Sequence, residues 1–314
     1  MVSAILVTAL MFLVVAGYAT FADARARKLH PPTGKFIDVD GAKLHYTDTG
    51  TGPCIVLLHG NGGAWGDMEA CTLISKLSQS YRVLAFDRPG FGHSERCASR
   101  SMAPEAQALA IITAIKEISN TPTVIVGHSY GALVAVACGL EAPKNIQGLV
   151  LVSGYLMPAY PKLALLRHMA TPIFAPFAQY FLIPIIARLV SPIVTSIAFH
   201  PRKAASAFRK EMPWPLLFRS DQLMISLEEL AEMHSSAQRI DQKICTLRLP
   251  TILLAGTEDK IVDTKAHTCA FHQKSCQSRM QLVPGVGHMF HYARPDLVCA
   301  EVEGLWRQAH GRDD

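Results

Sequence analysis

The chain has 314 residues, of which 50% are hydrophobic and 18% are charged, and its formal net charge at pH 7 is +5. This composition is too apolar for a disordered chain and provides enough apolar side chains for a large buried core. The basic residues are dispersed and form no stripe with interleaved aromatic side chains, so we expect no nucleic-acid partner.

The first segment is apolar. Met1 to Phe21 contain no charged side chain, and a helix of that length can cross a bilayer. The following Ala22-Asp23-Ala24 resembles the small-residue site at which a secretory signal is cleaved. Arg25, Arg27 and Lys28 come next, however, and positive charge favours the cytoplasmic side of a membrane. We therefore predict that residues 1–28 form an uncleaved membrane anchor with the remaining chain on the cytoplasmic side. Export after signal cleavage is the alternative.

Short apolar segments alternate with helical ones through most of the remaining chain. Asp40-Gly41 lies between two extended segments, Lys35 to Val39 and Ala42 to Asp48, and predicts a hairpin. Helices are predicted over Ala103 to Glu117 and Ala132 to Leu140. Alternating strands and helices indicate an α/β domain with a largely parallel sheet. The predicted buried strands are Cys54 to Leu58, Val83 to Phe86, Thr123 to Val126, Leu149 to Val152 and Thr251 to Leu254.

One interval interrupts this alternation. About 90 residues separate the strand near Val152 from the strand near Thr251, and a loop of that length without structure is improbable. The interval is rich in Leu, Ile, Phe and Pro, which predicts several short helices broken by prolines. We therefore expect a core made of residues 34–154 and 247–314, with a helical cap inserted at residues 155–246.

The strongest local motif is Gly127-His128-Ser129-Tyr130-Gly131, which lies directly between a predicted strand and a predicted helix. A serine nucleophile on such a turn points its hydroxyl out of the sheet, and larger residues two positions away would clash with the turn. The setting therefore predicts that Ser129 is a nucleophile. His128 is expected to be structural.

A serine hydroxyl needs a base to accept its proton and a carboxylate to orient that base. Asp259 follows the strand after the inserted interval, and His288 follows the last predicted strand. The order Ser, Asp, His is the one found in α/β enzymes that carry this turn. Glu258 is the lesser candidate for the acid, and His291 is expected to be peripheral.

Catalysis by such a serine also needs donors for the oxyanion of the tetrahedral intermediate. The backbone amide of Tyr130 begins a helix and benefits from the helix dipole. The loop His59-Gly60-Asn61-Gly62-Gly63 offers a second amide, and we predict that Asn61 provides it.

From Gly34 to its C-terminus the chain resembles the α/β-hydrolase family. The resemblance rests on five motifs in the expected order: HGNGG, DRPGFGHS, GHSYG, GTEDKIV and GVGHM. It implies a triad of Ser129, Asp259 and His288, oxyanion amides at Asn61 and Tyr130, and a helical cap after the sixth strand. Family members that act on epoxides or haloalkanes use an aspartate nucleophile, so a serine at position 129 argues against those reactions.

The expected reaction is hydrolysis of a carboxylic ester, with an apolar group, through an acyl-serine intermediate. Hydrolysis of a carbon-carbon bond in a vinylogous diketone by the same triad is the alternative, and a non-catalytic binding module is a third. We expect a small-molecule substrate and neither a metal nor an organic cofactor. None of the eight cysteines forms a CxxC pair, and His267 and His272 are poorly spaced for one helical face. Asp87 and Arg88 are expected to brace a turn. The sequence leaves the oligomeric state open.

Overall fold

The computed structural model describes residues 2–97, 101–159, 179–180 and 183–310, with their side chains except those at positions 2–9, 11, 12, 143, 309 and 310. Its centre is a sheet of eight strands in the order β1-β2-β4-β3-β5-β6-β7-β8. The strands are Lys35–Val39, Ala42–Thr49, Cys54–Leu58, Arg82–Phe86, Thr123–His128, Ile146–Val152, Thr251–Gly256 and Ser278–Val283.

The sheet is antiparallel at one edge and parallel elsewhere. Strand β2 pairs antiparallel with both β1 and β4, and every other neighbouring pair is parallel. Every residue of β3, β5 and β7 is buried, as expected for central strands covered on both faces. The predicted α/β class with a mostly parallel sheet and flanking helices is confirmed.

Twelve helices occur in the described part of the chain. In chain order, α1 to α6 are Val2–Leu29, Gly66–Ala70, Leu73–Leu77, Pro104–Ile118, Tyr130–Glu141 and Ile183–Phe199. Helices α7 to α12 are Ser206–Glu211, Trp214–Leu217, Ser220–Asp241, Ala270–Lys274, Phe290–Ala293 and Pro295–His310. Helix α10 follows a π-helical turn, Lys265–Cys269.

Two hydrophobic clusters cover the two faces of the sheet. Helices α4 and α5 bury their apolar sides in one cluster, together with alternate strand residues such as Val56 and Ile125. Helices α3 and α12 contribute to the other cluster, which takes the intervening residues such as Ile55 and Val124. The alternation follows from the two-residue period of a strand. Because both faces are packed, the ends of the central strands are held in fixed positions.

Within residues 155–246 the described helices are α6 to α9. Helix α9 has 22 residues and is longer than the short helices that the prolines predict. Positions 160–178, which include the whole proline-rich segment at 172–177, lie outside the described residues, as does Phe181. The division into core and cap domains therefore stays a prediction.

The N-terminal helix α1 extends over Val2–Leu29, so the apolar segment and its basic flank form one helix. Among the residues with described side chains, no helix is long and apolar enough to span a membrane.

Candidate active site

The turn that carries Ser129 is tightly packed. Ser129 lies between β5 and α5 with φ 54° and ψ −117°, a conformation that side-chain-bearing residues rarely adopt. A Cβ atom on Gly127 would lie 2.4 Å from the carbonyl oxygen of Gly131, and one on Gly131 would lie 2.4 Å from that of Leu58. Glycine at both positions is therefore a steric requirement of the turn. The Ser129 hydroxyl has no hydrogen-bond partner in the described part of the chain.

His288 and Asp259 are joined by a hydrogen bond. His288 Nδ1 lies 2.8 Å from Asp259 Oδ2, and the two side chains are 7% and 1% exposed. The other carboxylate oxygen, Oδ1, accepts hydrogen bonds from the amides of Ile261 and Val262. Because a carboxylate can only accept, Nδ1 carries the proton and Nε2 has a free lone pair. Glu258, the alternative acid, is exposed and lies within 3.4 Å of Thr257 Oγ1.

The predicted oxyanion donors lie on the two loops at the same edge of the sheet. The loop after β3 passes close to the nucleophile, since a Cβ on Gly60 would lie 3.2 Å from Ser129 Cβ. Tyr130 is the first residue of α5, so its amide has no partner within the helix. Within the described residues, the amide of Asn61 is also without a hydrogen bond. Both amides are thus available to an anion.

A buried ion pair braces the loop that contains Asn61. Arg88 and Glu229 are both fully buried, and Arg88 Nη1 lies 2.5 Å from Glu229 Oε1. Arg88 also donates to the carbonyl oxygens of His59 at 2.7 Å and Gly60 at 3.1 Å. Glu229 Oε2 accepts from the Asn61 amide nitrogen Nδ2 at 2.8 Å. Glu229 belongs to α9, so this helix is fastened directly behind the candidate oxyanion loop.

Further contacts complete this polar cluster. Gln107 donates to Glu229 Oε1 at 2.8 Å and accepts from Arg88 at 2.6 Å. Burial and the neighbouring Arg88 charge lower the pKa of His59 to about 3. His59 is therefore neutral, and its Nε2 accepts the Arg88 amide at 3.0 Å. Each buried charge in the cluster faces a charge of opposite sign and is also hydrogen-bonded to neutral groups. A buried ion pair needs such partners to offset the loss of hydration.

Asp87 braces the next turn, as predicted for the pair Asp87 and Arg88. Its carboxylate oxygens accept hydrogen bonds from the amides of Trp65 and His93, each at 2.9 Å. Oδ2 also lies 2.8 Å from His45 Nδ1, and both side chains are fully buried.

A second polar cluster lies beneath the candidate triad and was not expected from the sequence. His128 Nε2 donates to the carbonyl oxygen of His288 at 3.2 Å, and the rings of His128 and His291 are 4.1 Å apart. His291 Nε2 lies 3.2 Å from Asp67 Oδ2, and the Tyr292 hydroxyl donates to Asp67 Oδ1. His291, predicted to be peripheral, is 1% exposed.

This second cluster is the one group of potential metal ligands in the described residues. One ligand atom each from Asp67, His128 and His291 lies within 4.8 Å of the others. Both Asp67 oxygens already accept from protein donors, however, and His128 Nε2 is held by a carbonyl group. Burial and the two neighbouring histidines also lower the pKa of His128 well below its usual value. His128 is therefore neutral, and its ring packs on that of His291 next to the turn that carries Ser129.

A large cavity lies away from these residues. It has a volume of about 1060 Å³ and is lined by parts of the β1–β2 hairpin and of α9, including Phe36, Lys43 and Met224. None of Ser129, Asp259 and His288 lines it. The chemical groups and the conformation of Ser129, rather than the cavity, therefore identify the candidate site.

Residues 53–295 match the family model described as the alpha/beta hydrolase fold. An uncharacterized protein of Mycobacterium tuberculosis is 26% identical over 286 residues, covering 84% of this chain and 79% of the relative. A 2-hydroxy-6-oxononadienedioate/2-hydroxy-6-oxononatrienedioate hydrolase of Burkholderia vietnamiensis is 34% identical over 129 residues, covering 39% of this chain and 45% of the relative.

Solved structures agree on the fold. A thermophilic esterase from Thermogutta terrifontis superposes with a TM-score of 0.69 at 22% identity, covering 88% of this chain and all of the esterase chain. At this identity the similarity establishes the fold alone.

Proposed function

The chain belongs to the α/β-hydrolase fold family, and on that premise we propose that it cleaves a carboxylic ester through an acyl-serine intermediate. Ser129 is the nucleophile, His288 the general base and Asp259 the acid that orients the histidine. The observation that carries this proposal is the hydrogen bond between His288 Nδ1 and Asp259 Oδ2, because it leaves Nε2 free to accept a proton.

The reaction has two stages. The Ser129 hydroxyl attacks the ester carbonyl carbon while His288 accepts its proton, and the alcohol leaves with that proton when the tetrahedral intermediate collapses. Water then attacks the acyl-serine with His288 again as base, which releases the acid and restores the serine. Asp259 stabilises the imidazolium formed in each stage.

The amides of Asn61 and Tyr130 stabilise the negative oxygen of both tetrahedral intermediates. Two such donors in fixed positions contribute several kcal/mol to transition-state binding. The fixed position of the Asn61 loop rests on the buried contacts of Arg88 and Glu229 described above. A residue of the cap helix α9 thereby helps to hold the site.

Hydrolysis of a carbon-carbon bond in a vinylogous diketone is the second candidate. It is supported by the relative from Burkholderia vietnamiensis, which is named as a hydrolase of dienedioate and trienedioate compounds. The same serine and histidine would serve both reactions. A non-catalytic binding module is a weaker alternative, since the chain keeps a serine, a histidine and an aspartate in triad order.

We further propose that residues 1–28 stay attached and hold the enzyme at a membrane, with the hydrolase on the cytoplasmic side. We also propose that the substrate has an apolar group. The uncharged segment from Met1 to Phe21 and the basic residues that follow it support this placement. Leu13 and Phe21 of α1 are 66% and 63% exposed. N-terminal sequencing of protein from its native host tests retention, and a mature chain beginning at Arg25 would refute it.

The reaction is tested by assaying the purified enzyme with esters of graded acyl length alongside a vinylogous diketone. We expect ester turnover that increases with acyl length, and loss of that turnover in Ser129→Ala. Turnover of the diketone without turnover of any ester would favour the second candidate. Turnover of neither class would leave the ester proposal refuted.

A further inference from the structure

Helix α6 turns its large aliphatic side chains towards solvent. Leu189 and Ile193, one helical turn apart, are 71% and 61% exposed. The six most exposed aliphatic side chains of the helix are Ile185, Ile186, Leu189, Val190, Ile193 and Val194. They form three adjacent pairs that repeat every four residues and therefore share one side of the helix.

Between the buried Ile183 and Phe199 at its two ends, the inward side of the same helix is made of small and polar residues. Ala187, Ser191 and Thr195, at intervals of four residues, are half-buried. A surface helix of a globular protein has the reverse arrangement, with its apolar side on the core and its polar side in water. Contiguous exposed apolar surface of this kind marks a site of interaction with a protein or a membrane.

The charges around α6 favour a membrane with anionic lipids. From Ile183, the first residue of α6, to Lys210 the chain has five lysines and arginines, all of them exposed, and no aspartate or glutamate. One of them, Arg188, is an exposed residue of α6 itself. Clustered basic residues next to an apolar helix face are attracted to the negative surface of such a membrane.

The apolar N-terminal helix is attached to the same part of the molecule. The Asp23 carboxylate accepts a hydrogen bond from the Ser220 amide at 3.1 Å, and Arg27 Nη2 lies 2.6 Å from Asp221 Oδ2. Ser220 and Asp221 begin α9, which also contacts α6. Helices α1 and α6, which each have several exposed aliphatic side chains, are thus connected through α9.

We infer that α6 is a lipid-binding surface that lies in the membrane interface, with its aliphatic side among the acyl chains and its inward side on the protein. This contact is separate from attachment through residues 1–28 and from the proposed hydrolysis. It places the cap, rather than the N-terminal helix alone, against the lipid.

Tryptophan quenching by brominated lipid tests this inference in the full-length protein. Leu189→Trp is compared with Leu109→Trp, which changes a leucine that is 56% exposed on the core helix α4. Each variant is reconstituted in vesicles of phosphatidylcholine and phosphatidylglycerol, with and without bromine on the acyl chains, and the signal of the unsubstituted protein is subtracted. We expect several-fold stronger quenching at position 189 than at position 109.

Two outcomes would overturn the inference. Equal quenching at positions 189 and 109 would mean that α6 stands away from the lipid. Blue-shifted emission at position 189 without quenching, together with a dimer in analytical ultracentrifugation, would mean that a second copy covers α6. Ile193→Trp repeats the measurement one turn away, in case substitution at position 189 alters folding. Because quenching needs no substrate, its result is independent of the proposed ester hydrolysis.

Discussion

Aliphatic side chains are buried in the sheet core but exposed on helix α6. In α5 every residue from Tyr130 to Gly139 is buried, including Leu133 at 0% exposure, whereas Leu189 of α6 is 71% exposed. Apolar burial in the core stabilises the fold and holds the ends of the strands in place. The aliphatic side of α6 adds nothing comparable to the folded monomer. We therefore assign the aliphatic residues of α6 to contact with lipid. The core residues instead position the candidate active site.

The two regions meet at α9. This helix carries the buried Glu229 on the side of the core and begins at the residues that hold α1. A change in α9 is therefore expected to affect the site, whereas a change on the outer side of α6 is expected to affect contact with lipid. The variants below separate these roles.

The largest effect is expected in the candidate triad. Ser129→Ala and His288→Ala should each lower kcat for ester hydrolysis by about 10⁶-fold, and Asp259→Asn by about 10⁴-fold, since the nucleophile and base act together while the acid orients the base. Steady-state kinetics of the purified variants measure this. Glu258→Gln, one residue from Asp259, is the control and should retain its rate. Loss of activity in Glu258→Gln with retention in Asp259→Asn would reverse the assignment of the acid.

The next effect concerns the ion pair between α9 and the core. Glu229→Gln leaves the buried Arg88 charge without a carboxylate and should lower the free energy of unfolding by about 3–5 kcal/mol. The neighbouring Glu228 pairs with Arg96, and both are partly exposed. Glu228→Gln should therefore cost no more than about 1 kcal/mol. Urea unfolding of both variants measures the difference, and equal losses would show that the buried pair does not brace the loop.

A pair of leucines tests the contrast between core and α6 directly. Leu133→Ala should lower the free energy of unfolding by about 2–5 kcal/mol, because it removes a fully buried side chain. Leu189→Ala should change it by no more than about 0.5 kcal/mol, because the side chain is already in solvent. Urea unfolding in the absence of lipid measures both. A large loss in Leu189→Ala would mean that α6 packs its aliphatic side within the monomer.

The strands and the reactive turn could be predicted from sequence because their signals are local. Short apolar segments ending at glycine loops predict buried parallel strands, and these segments match β3 to β7 within a few residues at their ends. The glycines at positions 127 and 131 leave the space that the turn at Ser129 needs. The contact between Asp259 and His288 could be predicted from the order of the three residues along the chain. Their roles in catalysis stay proposals.

The packing of the helices within residues 155–246 and the supporting polar clusters could not be predicted in the same way. Glutamate is seldom buried without a partner, and nothing near Glu229 in the sequence indicates that Arg88, 141 positions away, meets it. Likewise, 224 positions separate Asp67 from His291. For α6, the spacing of its residues reveals an apolar side but not whether that side faces the core. Tertiary packing decides that.

The smallest predicted effect is a loss of stability in acid. Burial lowers the pKa of His267 to about 4, whereas a histidine in the unfolded chain takes up a proton below about pH 6.5. The unfolded state therefore binds more protons as the pH falls below 6.5, which lowers stability by about 2 kcal/mol between pH 7 and pH 5. The ring accepts the amides of Leu156 and Met157, so His267→Gln preserves an acceptor. Urea unfolding at both pH values should show a smaller acid loss in His267→Gln, and an unchanged loss would contradict this.

Covalent labelling of the nucleophile tests the central claim most directly. The purified full-length protein and its Ser129→Ala variant are treated with a serine-reactive phosphonate, digested and mapped by mass spectrometry. We predict one labelled peptide in the unsubstituted protein, modified at Ser129, and none in Ser129→Ala. Equal labelling of the two proteins, or a label at another serine together with full ester turnover in Ser129→Ala, would show that Ser129 is not the nucleophile.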